Sequence, residues 1–109
     1  MATKRERIEA MLQERPNEVF LHYSLAMEHL SEERKTPDEA AAIASFERCR
    51  QLDPGYVPVY LMLGMVHSRN DRNAEAREAL EAGIPVARAA GDDHAISEMQ
   101  AVLDSLPDD

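Results

Sequence analysis

Apolar residues recur along this chain at spacings of three and four, the period of helices with a buried face. Proline, glycine and short polar runs divide them into six segments. The first helix is expected from about Thr3 to Glu14, stopping before Pro16. The second spans about Asn17 to Ser31, and charged Glu32–Lys35 follow as a loop. Thr36-Pro37-Asp38-Glu39 opens the third: Thr36 is expected as its N-cap, Pro37 in the first helical position, and Glu39 closing a capping box. That helix runs to about Leu52, where Asp53-Pro54-Gly55 breaks it. The fourth covers about Tyr56 to Arg69, with Pro58 tolerable in its first turn, and Asn70–Asn73 is a polar turn. The fifth runs from about Ala74 to Ala90 and closes at Gly91. Pro85 inside it predicts a kink near Leu80–Glu81, whose carbonyl loses its amide partner. Asp92 or Asp93 caps the sixth, which ends near Leu106.

The faces of these helices differ. In the sixth, Ala95, Ile96, Met99, Val102, Leu103 and Leu106 form one stripe opposite a polar face, which suits the last helix of a stack. The second and fourth are apolar on two sides. Leu21, Leu25 and Ala26 lie on one side of the second, and Phe20, Tyr23, Met27 and Leu30 on another. The fourth carries Val59, Leu63 and Val66 beside Leu61, Met62 and Met65. A helix with two apolar faces sits between neighbours or lines a binding groove.

Composition sharpens this picture. The 109 residues are the size of one small domain, and 44% are apolar, enough for a packed core. Sixteen residues are Ala, the best helix former, while the residues that favour strands are scarce. The amino terminus is charged with no apolar stretch behind it, and no run approaches the roughly 20 residues that span a bilayer. A lone Cys49 cannot form an internal disulfide. These features lead us to expect a reduced, cytoplasmic protein with no membrane insertion. The net charge of -9, from 12 basic and 21 acidic residues, repels nucleic acid and anionic lipid. Ten of the 12 basic residues are Arg. Many acids with few Lys suit work at high salt, and a GC-rich genome leaves the same bias; a melting temperature insensitive to KCl would remove the first account.

Comparison of the chain with itself reveals a repeat. Ala42, Phe46 and Cys49 recur 34 residues later as Ala76, Leu80 and Gly83. Leu25-Ala26 and His29 recur 38 residues later as Leu63-Gly64 and His67, and Pro16 and Pro54 share that spacing, so the first repeat carries a four-residue insertion near Glu32–Lys35. This pattern resembles the tetratricopeptide repeat, a 34-residue helix–turn–helix unit. Tyr60, Leu63, Gly64, His67, Ala76 and Leu80 match one copy; His22, Leu25, Ala26, His29, Ala42, Phe46 and Pro54 match the other. Departures from the pattern are His29 and His67 in the tyrosine slots, His22 in the first tryptophan slot and Arg88 in the final proline slot. The first helix looks like the second half of a unit, with Ile8, Met11 and Pro16 in register, and the sixth like a capping helix. One domain over 1–109 is therefore expected: an N-terminal helix at 3–16, repeats at 17–54 and 55–90, and a cap at 92–106.

The resemblance implies an all-α, right-handed solenoid of antiparallel helix pairs, about six helices in all, that binds a peptide or helix in a concave groove. Carried over, the groove positions are Phe20, Tyr23, Ser24, Met27 and Leu30 in the first repeat, and Leu61, Met62, Met65, Ser68 and Arg69 in the second. Chaperone-binding members hold a C-terminal carboxylate with Lys and Asn. Tyr23, Met27, Leu61, Met62 and Met65 stand at those positions here, so that clamp is absent. What remains is apolar and Met-rich, suited to partners of irregular shape. The expectation is a non-catalytic adaptor for a protein partner, with self-association as a homodimer the alternative.

Catalysis and metal binding receive little support. His22 and His29 lie two turns apart, H-E-x-x-H is missing, and a single Cys supplies no ligand pair. Cys49 occupies a small-residue slot expected to face a neighbouring helix, and is read as an inert thiol. The sequence lacks a phosphate-binding glycine loop and a G-x-S-x-G elbow. Glu32-Glu33 and Asp92-Asp93 read as solvated ends. No cofactor and no metal are expected; an enzyme or metal protein built on His22, His29 and His67 is the remaining rival.

Overall fold

The computed structural model describes residues 2–31 and 37–107. These form helices α1 (Lys4–Glu14), α2 (Val19–His29), α3 (Glu39–Leu52), α4 (Val57–Arg69), α5 (Asn73–Ala89) and α6 (Asp93–Ser105), with no strand among the described residues. The chain divides into two compact units, Met1–Asp53 and Pro54–Asp109.

In the first unit, α2 packs on α3, and α1 packs on α2. Thr3 and Glu6 form a reciprocal capping box at the start of α1: the Glu6 amide donates to the Thr3 hydroxyl at 3.1 Å, and the Thr3 amide donates to the Glu6 carboxylate at 3.3 Å. The Thr3 backbone amide, then the hydroxyl, hold the Glu6 carboxyl below its ordinary value. The cap of α3 corrects the sequence expectation. Asp38 is the N-cap and accepts from the Ala41 amide at 3.0 Å, while Pro37 precedes it and Glu39 is the first helical residue. An Asp carboxylate placed three residues before a free amide is as good a cap as a Thr hydroxyl. The expected Thr36 cap and the expected Glu32–Lys35 loop lie outside the described residues.

Ile8, Leu21, Ala26, Ala42, Phe46 and Cys49 form the buried core of this unit. Phe46 is fully enclosed, and the Tyr23 ring lies 5.6 Å from it at a tilt of 59°, an aromatic geometry that adds to the area buried. Cys49 is equally enclosed. Its thiol donates to the Val19 carbonyl at 3.5 Å, and burial pushes its pKa up to about 11.

In the second unit, α4 packs on α5, and α6 packs on both. Leu63, Val66, Leu80 and Met99 fill the interior. Two glycines set the spacing. A methyl group on Gly83 would collide with the Tyr60 Cβ and stand 2.7 Å from the Met99 sulfur; one on Gly64 would collide with the Leu80 side chain. Helices α5 and α4 close in the same way. The Asp92 amide donates to the Ala87 carbonyl at 2.9 Å and the Gly91 amide to the Arg88 carbonyl at 3.1 Å, with Gly91 at φ 70°. After α4, the Arg72 amide donates to His67 at 2.9 Å and the Asp71 amide to Ser68 at 3.2 Å, with Asp71 at φ 57°. These are Schellman closures, which take up carbonyls that the helix itself leaves unpaired. Asp92 then caps α6, accepting from the Ala95 amide at 3.0 Å. Pro85 does not break α5; it and Glu81 are exposed, where water can satisfy the freed carbonyl.

The repeat shows in one further detail. The His22 ring Nε2–H donates to the Pro16 carbonyl at 2.7 Å, and the Tyr60 hydroxyl donates to the Pro54 carbonyl. Donor and proline are six residues apart in both units, so the slot that holds tryptophan in the family pattern fastens each helix to the turn before it.

Candidate functional site

Four of the five expected groove positions of the first repeat come together. Phe20, Tyr23, Ser24 and Met27 line a cleft of about 400 Å³ together with Lys4, Glu28 and Ser31. They lie together because α2 places residues three and four apart on one side, while Leu21 and Ala26 turn into the core. Phe20 is 62% exposed and Met27 40%, whereas Tyr23 is half-buried. Leu30 is half-buried at the C-cap of α2 and is not among the lining residues of this cleft.

In the second unit the expected positions all lie on α4. Leu61 and Met62 are half-buried, Met65 is 36% exposed and Arg69 is exposed. Met62, Met65 and Arg69 follow at i, i+3 and i+7, one face of the helix. An adjoining side, about a quarter turn round the helix, carries Val59, Leu63 and Val66, all fully buried. Both α2 and α4 thus present a second apolar face beyond the one their own unit consumes.

The sequence-level groove omitted Lys4 and Glu28, which approach one another at 3.9 Å at the rim of the α2 cleft. It also omitted a neighbouring cleft of about 350 Å³, where Arg7, Ile8 and Met11 of α1 face Phe20 and Leu21. A signal for it exists in the spacing Lys4, Arg7, Ile8, Met11, the i, i+3, i+4, i+7 pattern of a single helix face.

The histidines are spread among structural roles. His22 holds the Pro16 carbonyl, His67 is buried in the second unit, His29 is half-buried in the first, and exposed His94 lies 2.9 Å from Glu98 one turn on. Among the described residues no three His, Cys, Asp or Glu side chains gather as a ligand set. None of the described helices is long and apolar enough to cross a membrane.

Comparison with known proteins agrees with the internal repeat. The tetratricopeptide repeat family matches residues 37–103. A tetratricopeptide repeat domain protein from Salinibacter ruber is 36% identical in its crystal structure, with a TM-score of 0.70 over 79% of this chain and 92% of that one. Its solution structure gives the same identity and TM-score, over 81% and 85%. A protein from Bordetella parapertussis, solved in solution, is 28% identical with a TM-score of 0.77, over 95% of this chain and 87% of that one. No curated protein matches the chain. The six helices, the paired motifs 34 and 38 residues apart and these relatives agree: the chain belongs to the tetratricopeptide repeat family, with its all-α helical solenoid fold and its general role in protein–protein interaction.

Proposed function

We propose that this chain is a non-catalytic binding module that takes a peptide or helix of a partner protein on the apolar, Met-rich faces of α2 and α4. The residues assigned to that contact are Phe20, Tyr23, Met27 and Leu30 on the first repeat, and Leu61, Met62, Met65 and Arg69 on the second. The observation that carries the reading is the exposure of Phe20, Met27 and Met65 on helices whose other apolar faces are used in packing. Exposed apolar groups of this size are where binding energy is found. At about 25 cal/mol per Å² of apolar surface, a few such anchors support roughly micromolar affinity after ordering costs.

The test uses Phe20→Glu/Met65→Glu, since both side chains are exposed and the pair leaves the core intact; Tyr23 is a poorer choice because its ring packs on Phe46. Wild type and the variant, matched for helix content, are immobilised and exposed to native lysate. Proteins retained by wild type and released by the variant support the reading. Equal retention moves the contact to another surface. Recovery of the chain alone, with a dimer mass in light scattering, favours self-association.

A further inference from the structure

The cleft between α1 and α2 adjoins the Met-rich face of α2, sharing Lys4, Phe20 and Ser24 with the cleft there, but differs in the rest of its lining. Its floor is Ile8, 4% exposed, and its walls are Met11 at 38% and Phe20 at 62%. Its rim is cationic. Lys4 and Arg7 line it, and no Asp or Glu does so, although the chain as a whole carries a net charge of -9. Lys4 keeps 70% of its side chain exposed and reaches Glu28 only at 3.9 Å. Arg5, on another side of α1, is engaged by Glu9 at 3.2 Å, whereas Arg7 has no ion-pair partner among the described residues. Two cations over an apolar floor favour a ligand that combines carboxylate and hydrocarbon.

Register and size narrow the ligand further. Ile8 stands where α3 has Phe46 and α5 has Leu80. Four residues before, and three after, α3 carries Ala42 and Cys49 and α5 carries Ala76 and Gly83, all buried. In α1 those two places hold Lys4 and Met11, both exposed. Side chains of that length prevent a further helix from seating on α1 as closely as α2 seats on α3. The volume of about 350 Å³ takes one or two large side chains, not a helix roughly 10 Å across.

We propose that this cleft binds an extended acidic peptide, inserting one or two bulky apolar side chains between Met11 and Phe20 while flanking carboxylates meet Lys4 and Arg7. The inference rests on the chain being a protein-binding module but requires no contact with α4. The test is a titration of the isotope-labelled full chain, followed by amide chemical shifts, with the blocked peptide Gly-Asp-Asp-Leu-Phe-Asp-Asp-Gly. Salt is held at about 0.15 M, where charges beyond roughly 8 Å are screened. Expected are shifts at Arg7, Met11, Phe20 and Ser24 with a Kd below about 1 mM. A peptide with Lys for Asp, one with Ala for Leu-Phe, and the Lys4→Gln/Arg7→Gln chain should each bind at least about tenfold more weakly. These two side chains are exposed, and unchanged amide dispersion confirms the fold of the variant. Equal affinity for the acidic and basic peptides overturns the inference, as does the absence of shifts in the cleft at about 5 mM peptide. Shifts confined to Leu61, Met62 and Met65 also overturn it, while leaving the proposed function in place.

Discussion

The two units are built from the same repeat and finish differently. In the second, Gly64 and Gly83 let α4, α5 and α6 approach until a single added methyl has no room, and α6 covers both partners with Met99 fully buried. In the first, the equivalent positions are Ala26 and Cys49, and the end helix α1 rests on α2. The first unit leaves Phe20 and Met11 in solvent beside two clefts; the second spends most of its large side chains inside. Where backbones meet closely, large side chains are enclosed; where they do not, Met11, Phe20 and Met27 keep more than a third of their surface in solvent.

The strongest way to break this contrast is at the shared core position. Phe46→Ala should destabilise by about 3–5 kcal/mol in denaturant unfolding, because it empties a fully enclosed site. It also removes the ring on which Tyr23 rests. Phe46→Leu, the residue the second unit uses there, should cost only about 1 kcal/mol. Next in size is Gly83→Ala, where overpacking against Tyr60 and Met99 outweighs the better helix propensity of Ala, for a net loss of about 1–2 kcal/mol. Gly64→Ala should cost less, because it meets the end of a Leu80 side chain. If both alanines were neutral, close approach would not distinguish the second unit.

Cys49 gives the first unit a pH signature. Its thiol pKa is raised in the fold, to about 11 from an ordinary value near 9. The folded state therefore keeps the proton after the unfolded chain has lost it, and stability should fall between about pH 9 and 11 and then level off. Cys49→Ala should remove that slope, which a series of melting curves would show. Smaller effects of opposite sign belong to the second unit. Pro85→Ala restores a donor at an exposed helix position and should stabilise by about 1 kcal/mol. Asp71→Gly relieves a side chain held at positive φ and should raise the melting temperature by a degree or two, for a gain under about 1 kcal/mol.

Much of this architecture is legible locally. Gly91 stops α5 because it alone enters the left-handed region there without strain, and Asp92 caps α6 because its carboxylate reaches an amide three residues on. Such signals lie within a few residues, so periodicity and caps locate the helix ends within about two residues. Caps are read less surely before α3, where Asp38 accepts from the Ala41 amide, so that Pro37 precedes the helix and Glu39 opens it. At α1, Thr3 and Glu6 form a capping box that the sequence reading did not name. At the candidate site, Phe20, Tyr23 and Met27 could be named from spacing because one helix carries all three.

The sequence by itself determined six helices, their order, the repeat and the apolar second faces of α2 and α4, since each follows from neighbours within a turn or from a recurrence at 34 or 38 residues. Only the tertiary structure decided that Tyr23 rests on Phe46 while Phe20 stands in solvent, and that Lys4 and Arg7 overlook an apolar cleft free of acids. Those facts depend on how α1 and α3 seat against α2, and exposure and charge environment are properties of that packing, not of any stretch of chain.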